Sequence, residues 1–132
     1  MSKSGEISTV ADKVFPTFSI KVDTPDGRMF VHILENDGLP VQVLINIGKS
    51  GTNLSAWADA VSRMVSQMLK YTSIYVIIEE LSGITSSRFI RLAQGEVIRS
   101  GPEGVAYALV KYRNRKYKDN RPKDKPGRAS IE

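Results

Sequence analysis

The chain has 132 residues and a formal net charge of +5, with no cysteine and a single histidine, His32. Disulfides, thiolate metal sites, thiol redox chemistry and histidine metal clusters are therefore excluded, and no metal or other cofactor is expected. The length fits one domain, and neither a membrane-spanning apolar run nor the apolar core of a signal peptide is present, so we expect a cytoplasmic protein without membrane association.

The positive charge is concentrated towards the C-terminus. Residues 111–128 hold nine lysines and arginines against Asp119 and Asp124, a net charge of +7, so the rest of the chain carries −2. A basic segment of this kind suits phosphate-bearing partners, and nucleic acid is one of them.

Three antiparallel strands are predicted between residues 15 and 47. The segments FPTFSIKV, MFVHIL and LPVQVLINI place apolar side chains at every second position. Asp-Gly pairs at 26–27 and 37–38 separate these segments, as in tight hairpins. The sequence therefore predicts an antiparallel meander.

A long amphipathic helix is predicted from Leu54 to Lys70, because apolar side chains recur there with helical spacing. Trp57, Met64 and Met68 are interpreted as core residues that pack on the sheet. The following segment SIYVIIEEL predicts a short second helix, with Gly83 as the residue just after its C-terminal cap.

A hairpin around Gln94-Gly95 is predicted within residues 88–99, ahead of a last helix. Ser100 is the expected N-cap of that helix and Glu103 its third residue, which together form a capping box. The helix is expected to fade beyond Tyr117.

These elements predict an α+β domain over residues 15–117, in which an antiparallel sheet is packed by a long amphipathic helix, a short helix and a C-terminal helix. The N-terminal segment 1–14 is expected to be flexible. Residues 118–132 contain almost no apolar side chain and are interpreted as a flexible basic tail.

The stretch Gly48-Lys49-Ser50-Gly51 lies between a strand and a helix, where a phosphate-binding loop would be found. A P-loop has a glycine five positions before its Gly-Lys pair, and here that residue is Val43, so a P-loop NTPase is excluded. Two interpretations stay open. Either backbone N–H groups from Gly48 to Thr52 bind an anion, or the stretch is a tight turn in which Thr52 or Asn53 caps the helix.

A larger pattern surrounds this loop. A strand ends in NIGKSG at 46–51, a long amphipathic helix follows, a short helix closes in LSGI at 81–84, and SGPEGVAYAL occupies 100–109. Over residues 30–110 this pattern resembles the TSCPD domain, the C-terminal module of adenosylcobalamin-dependent ribonucleotide reductases that is also found as free-standing proteins. The resemblance implies a sheet covered by a long helix and completed by two further helices.

The sequence departs from that family at its cysteines. The namesake cysteine falls at Gly101, the family aspartate falls at Glu103, and the region of the other cysteine is Thr85-Ser86-Ser87. A thiol or metal role is therefore absent, and ribonucleotide reduction is not the expected activity. We find no set of nucleophile, base and orienting group, so the chain is not expected to be an enzyme.

Free-standing proteins similar to this scaffold include phage anti-defence sponges of the anti-Thoeris and anti-CBASS kind. They hold cyclic ADP-ribose-type or cyclic oligonucleotide signals without cleaving them. For this chain the resemblance implies sequestration of a small anionic nucleotide, in the host cytoplasm if the chain is phage-encoded.

Seven residues are the candidates for ligand binding, since guanidinium groups suit phosphate and a phenyl ring can stack on a base. They are Arg63, Arg88, Phe89, Arg91, Arg99, Arg113 and Arg115. Each has a plainer explanation: Arg63 as part of a solvated helix face, the group 88–91 as alternation across a strand, and Arg113 and Arg115 as cations favoured at a helix C-terminus.

A homo-oligomer, either a dimer or a trimer of dimers, is also expected. Tyr71, Tyr75 and the run Val76-Ile77-Ile78 supply more apolar surface than a small sheet covers. Two functions remain as alternatives to the sponge. One is a nucleic-acid-binding module that uses the basic C-terminal segment, and the other is an accessory domain of nucleotide metabolism related to ribonucleotide reductase.

Overall fold

The computed structural model describes residues 12–48 and 51–120, with side chains as far as Lys116. Its elements are β1 (Thr17–Thr24), β2 (Gly27–Asn36), β3 (Leu39–Ile47), α1 (Asn53–Met68), α2 (Ile74–Ser82), β4 (Ile90–Arg91), β5 (Val97–Ile98) and α3 (Gly101–Asn120). The predicted α+β class, an antiparallel sheet packed by helices, is confirmed, and the short helix α2 packs on α3 rather than on the sheet itself. No helix in these described stretches is long and apolar enough to cross a membrane.

The main sheet is the predicted meander, with strand order β1-β2-β3 and antiparallel pairing throughout. Val31 of β2 lies opposite Ile20 of β1 and Ile45 of β3. Asp37 and Gly38 form the second turn with φ angles of 56° and 80°. This left-handed conformation matches the twist of the flanking strands, which explains the Asp-Gly pair.

The sheet buries one of its faces. Val31 and Ile33 of β2 and Val43 of β3 are fully buried there. On this side α3 packs across β1 and β2, while α1 packs along β3. The opposite, open face carries Phe30 and Leu44, which are 43% and 40% exposed.

Helix α1 closes the outer edge of β3 through two serine hydroxyls. The Ile45 N–H donates to Oγ of Ser62 and the Val43 N–H donates to Oγ of Ser66, both at 2.9 Å. Outward N–H groups recur every second residue of a strand, about 6.8 Å apart, and serines one helical turn apart match that spacing. The edge strand is therefore paired with side chains instead of a fourth strand.

The start of α1 confirms the capping interpretation of the preceding loop. Thr52 is the N-cap, and its Oγ1 accepts from the Ser55 N–H at 3.1 Å. Gly48 and Gly51 have φ angles of 70° and 84°. Lys49 and Ser50, on which the anion-binding interpretation also depends, lie outside the described residues.

The prediction that Met64 of α1 is a core residue is wrong, because Met64 is 66% exposed. The buried stripe of the helix is Ala58, Ser62 and Val65. Small residues are needed there because α1 approaches the edge of a strand, and Met64 lies two residues, or about 200°, beyond Ser62. Trp57 and Met68 are partly buried against the core, in line with the prediction.

The remaining element boundaries agree with those predicted from the sequence, except at the ends of α2 and α3. The predicted hairpin is β4 and β5, with Gly95 at φ 108° between them. Gly83 is the C-cap of α2 with a φ of −93°, whereas the sequence placed it one residue later, just after the cap. Helix α3 continues through Asn120 rather than fading at Tyr117. The predicted tail beyond 120 and most of the predicted N-terminal segment, residues 1–11, lie outside the described residues.

Candidate functional site

The seven candidate residues occupy four places in the molecule: the hairpin segment, the later turns of α3, the start of α3 and α1. Arg88, Phe89 and Arg91 belong to the hairpin segment, and Nη2 of Arg88 lies 4.0 Å from Oδ1 of Asp26 in the β1–β2 turn. Phe89 is 61% exposed. The Arg91 guanidinium makes a long contact of 3.5 Å to the Gly95 carbonyl within its own hairpin.

Arg113 and Arg115 lie at the opposite end of the sheet, on the last turns of α3. The Arg113 guanidinium is 4.9 Å from the ring centroid of Tyr75, and that of Arg115 is 5.8 Å from the centroid of Phe18. Twelve helical residues separate Gly101 from Arg113, a rise of about 18 Å. The structure therefore does not bring this pair and the hairpin residues together on one small ligand within a single chain.

The tyrosine that opens the YRNRKY cluster is buried. The Tyr112 hydroxyl donates to Oε2 of Glu35 at 2.5 Å, and Nζ of Lys116 lies 3.4 Å from the same oxygen. Burial, with the nearby Glu35 carboxylate, raises the pKa of Tyr112 far above its ordinary value. These contacts tie α3 to the end of β2, so Tyr112 offers no stacking face to a ligand.

Arg99 has its guanidinium engaged at the start of α3. Its Nε and Nη2 donate to the Glu103 carboxylate at 2.9 and 2.5 Å, and Nη2 also reaches the Ser82 carbonyl at 3.3 Å. The hydrogen bonds from Arg99 lower the pKa of Glu103, although partial burial opposes them. The Glu103 carboxylate also accepts from the backbone N–H of Arg99, whereas a capping box would have the N–H of Ser100 as the donor. The other half of the capping box is present, because the Ser100 hydroxyl accepts from the Glu103 N–H. Arg99 thereby links α2 to α3.

Arg63 lies at a cavity. A hollow of about 420 Å³ runs between α1 and β3. We call it the Arg63 trough, and its wall is formed by Gln42, Leu44, Asp59, Arg63 and Gln67 with the two edge-capping serines. Nε of Arg63 donates to Oδ2 of Asp59 at 3.0 Å. No acceptor in the described part of the chain takes the two terminal nitrogens of Arg63, which are free to bind phosphate side by side.

A second hollow, of about 370 Å³, adjoins the trough. Asn46, Asn53 and the turn around Thr52 line it, and Asp59 is common to both cavities. Carboxamides both donate and accept hydrogen bonds, so they suit the edges of a nucleobase. The two hollows combine such groups with one fixed positive charge.

Sequence reasoning found Arg63 and its helix neighbours Ser62, Ser66 and Gln67, but it missed the ion pair with Asp59 and the β3 side chains of the trough. The four-residue spacing of Asp59 and Arg63 was a readable signal for their ion pair. Gln42 carried no such signal, because its place beside Arg63 depends on how α1 docks on β3. Among the described residues, no group of three or more histidines and carboxylates could hold a metal ion.

The comparisons with known proteins give one family. The family model of the TSCPD domain matches residues 7–113, which is most of the chain and includes all the strands and the first turns of α3. No curated protein and no solved structure matches the chain significantly.

Proposed function

The chain belongs to the TSCPD domain family, a module related to ribonucleotide reductases, and from this premise we propose that it binds a small phosphate-bearing nucleotide and holds it without chemistry. Its role would be sequestration of a cyclic ADP-ribose-type or cyclic oligonucleotide signal. The observation that carries the proposal is the Arg63 trough. A guanidinium with free terminal nitrogens stands there beside amide groups that can read a base.

Asp59 strengthens the case for Arg63 as the phosphate-binding residue. The ion pair engages Nε of Arg63 and leaves the other two nitrogens of the guanidinium for phosphate. Because this pair is mostly exposed, it contributes little to stability. Its use is to position the guanidinium over the trough.

The position of the family's namesake cysteine supports a role other than thiol chemistry. A Cβ atom at Gly101 would lie 2.4 Å from Cζ2 and 2.6 Å from Cη2 of the Trp57 side chain. The indole ring fills the space into which a side chain at 101 would extend. The chain has therefore adapted its packing to a glycine at this position.

Binding without cleavage also fits the side-chain pairs of the described residues that could serve as nucleophile and base. The described pair that most resembles a nucleophile and its base is Ser19 and His32, whose Oγ and Nδ1 atoms lie 2.7 Å apart. No carboxylate of the described residues bonds the other ring nitrogen of His32, so nothing described would orient the ring as a general base. A ligand held by this protein is expected to be released intact.

We expect Arg63→Ala to weaken ligand binding at least tenfold, because a charge-assisted hydrogen bond to phosphate contributes about 1.5–3 kcal/mol. Calorimetry with cyclic ADP-ribose, cyclic di-AMP and cyclic tri-adenylate would measure it, followed by chromatography of the released ligand. Arg91→Ala is the matched control, since its guanidinium lies on the hairpin away from the trough. Equal affinity of Arg63→Ala and wild type would contradict the proposal, as would a lack of binding across the panel.

The same titrations separate the two alternatives. Single-stranded oligonucleotides whose affinity rises with length and falls steeply with salt would favour nucleic-acid binding through the basic segment. Co-purification with a ribonucleotide reductase would favour the accessory role. A preference for one small ligand supports sequestration.

A homo-oligomer is part of this proposal. Tyr71 and Tyr75 are 83% and 62% exposed on either side of the start of α2, and Val76 is 40% exposed beside them. An apolar surface of this kind is typical of a protein contact. We expect sedimentation at micromolar concentration to show a species larger than the 14.6 kDa chain, and Tyr71→Glu with Tyr75→Glu to convert it to the monomer. A wild-type protein that sediments only as the monomer would rule the oligomer out.

A further inference from the structure

We propose that the open face of the main sheet is a base-stacking platform centred on Phe30, and that a nucleotide stacked there reaches the Arg63 trough with a phosphate. The inference rests on the proposed function and names residues that the sequence did not single out. We call Lys21, Phe30 and Asn46 the Phe30 platform. They form one row across the three strands.

The register of the sheet brings these three side chains together. Phe30 lies directly opposite Lys21 of β1 and opposite Asn46 of β3. Opposed residues on one face have Cβ atoms about 4.5–5.5 Å apart. The neighbours of all three residues along their strands, such as Met29 and Val31, point into the core, so this row points outwards.

The chemistry of the row fits a nucleotide. Phe30 is 43% exposed at the centre of the face, where a base can stack on its ring. Asn46 supplies an amide for the edge of a base, and Lys21 supplies a cation for phosphate. No carboxylate in the described part of the chain pairs with Lys21, whereas Arg28 on the same face contacts Asp23 at 3.7 Å.

The platform is continuous with the Arg63 trough. Gln42 and Leu44 of β3 point to the open face and also line the trough, while Asn46 lines the adjoining hollow. Strands are about 4.8 Å apart, so Lys21 on β1 lies about 10 Å across the sheet from β3, and Arg63 on α1 lies beyond β3 on the other side of the Phe30 ring. One cation on each side of the ring fits a base between two phosphates, as in a linear or cyclic oligonucleotide, better than a mononucleotide.

A second copy of the chain would be a poorer occupant of this face. Besides Phe30, Leu34 and Leu44 the face presents mostly polar groups, among them Ser19, Lys21 and Gln42. In the strands of this face the carboxylate is that of Asp23, and Arg28 of the same chain already contacts it at 3.7 Å, so two stacked faces would bring together more cations than carboxylates, which is costly. Charge complementarity therefore favours an anionic ligand.

The test is calorimetry of Phe30→Ala with cyclic tri-adenylate, using AMP as the mononucleotide probe. Stacking on an aromatic ring contributes about 1–3 kcal/mol per base, so we expect about tenfold weaker binding of cyclic tri-adenylate. Phe30→Tyr keeps the ring and is expected to restore the affinity, which separates stacking from any loss of folding. Phe89→Ala removes an even more exposed phenylalanine on the hairpin and is the matched control, with unchanged affinity expected. AMP is expected to bind more weakly than cyclic tri-adenylate.

The outcomes distinguish this inference from the proposed function. If Arg63→Ala weakens binding and Phe30→Ala does not, the platform is overturned and the proposed function stands. Loss of affinity in Phe89→Ala instead of Phe30→Ala overturns it too, because the base then stacks on the hairpin. The platform is likewise overturned if Phe30→Ala dissociates an oligomer with binding unchanged. A wild-type protein that binds neither probe nor any ligand of the earlier panel overturns both proposals.

Discussion

Gly101→Cys, which introduces a cysteine at the position to which the resemblance assigns the family's namesake residue, is expected to destabilise this protein by about 1–3 kcal/mol or more. The new Cβ would overlap two carbon atoms of the Trp57 ring, which is itself packed against the core. Overpacking of this kind forces either the ring or the start of α3 to move. The measurement is urea-induced unfolding of the variant and the wild type.

Two further variants isolate the steric cause. Gly83→Ala is the control, because a Cβ at that C-cap glycine meets nothing within 4 Å and its φ of −93° suits alanine. Alanine there is expected to be neutral or slightly stabilising. Trp57→Ala removes the obstacle, so the double variant with Gly101→Cys is expected to be more stable than the sum of the two single losses predicts. If the stability losses of the two single variants simply add in the double variant, the Trp57 ring is not the group that clashes with a side chain at 101.

Removing both edge-capping hydroxyls, by Ser62→Ala with Ser66→Ala, is expected to cost about 2–5 kcal/mol. The Ile45 and Val43 N–H groups would lose their acceptors, and an unpaired buried donor costs about 1–3 kcal/mol. The Ser62 site is buried and Ser66 is partly buried, so the larger share of the loss is expected from Ser62. Urea unfolding measures the stability.

Hydrogen exchange provides a local readout of the same contacts. In the wild type the Ile45 and Val43 amides are expected to exchange slowly although they face the outer edge of the sheet, and in the double variant quickly. Ser73→Ala is the matched control, because this N-cap serine of α2 makes no side-chain cap hydrogen bond. Slow exchange of both amides in the double variant would mean that the hydroxyls do not close the edge.

Much of the fold could be predicted because it depends on neighbours in sequence. Alternation within each strand, the Asp-Gly turn at 37–38 and the Ser100 cap of α3 are short-range features, and the structure contains all of them. Met64 shows the limit of this reasoning. Its apolar side chain fits the helical period, but which stripe of α1 is buried depends on what the helix packs against, and a strand edge selects small residues.

The candidate site was predictable only in part. A guanidinium that suits phosphate can be recognised from residue type alone, so Arg63 was found. Gln42 and Phe30 were not, since each is an ordinary strand residue until the sheet register and the docking of α1 define its surroundings. The distance from the hairpin to Arg113 and Arg115 could not be predicted either, because it depends on the direction of α3 across the sheet.

The sequence by itself determined the secondary structure, the family and the exclusion of thiol and histidine-cluster chemistry, because composition, periodicity and motifs are properties of residue types and their spacing. Only the tertiary structure decided which polar groups meet. The Tyr112 hydroxyl donates to Glu35, which is 77 residues away in the sequence, and the Ile45 N–H donates to Ser62, which is 17 residues away. Such contacts follow from the way apolar faces pack against one another, and packing is a property of the whole chain that no local pattern records.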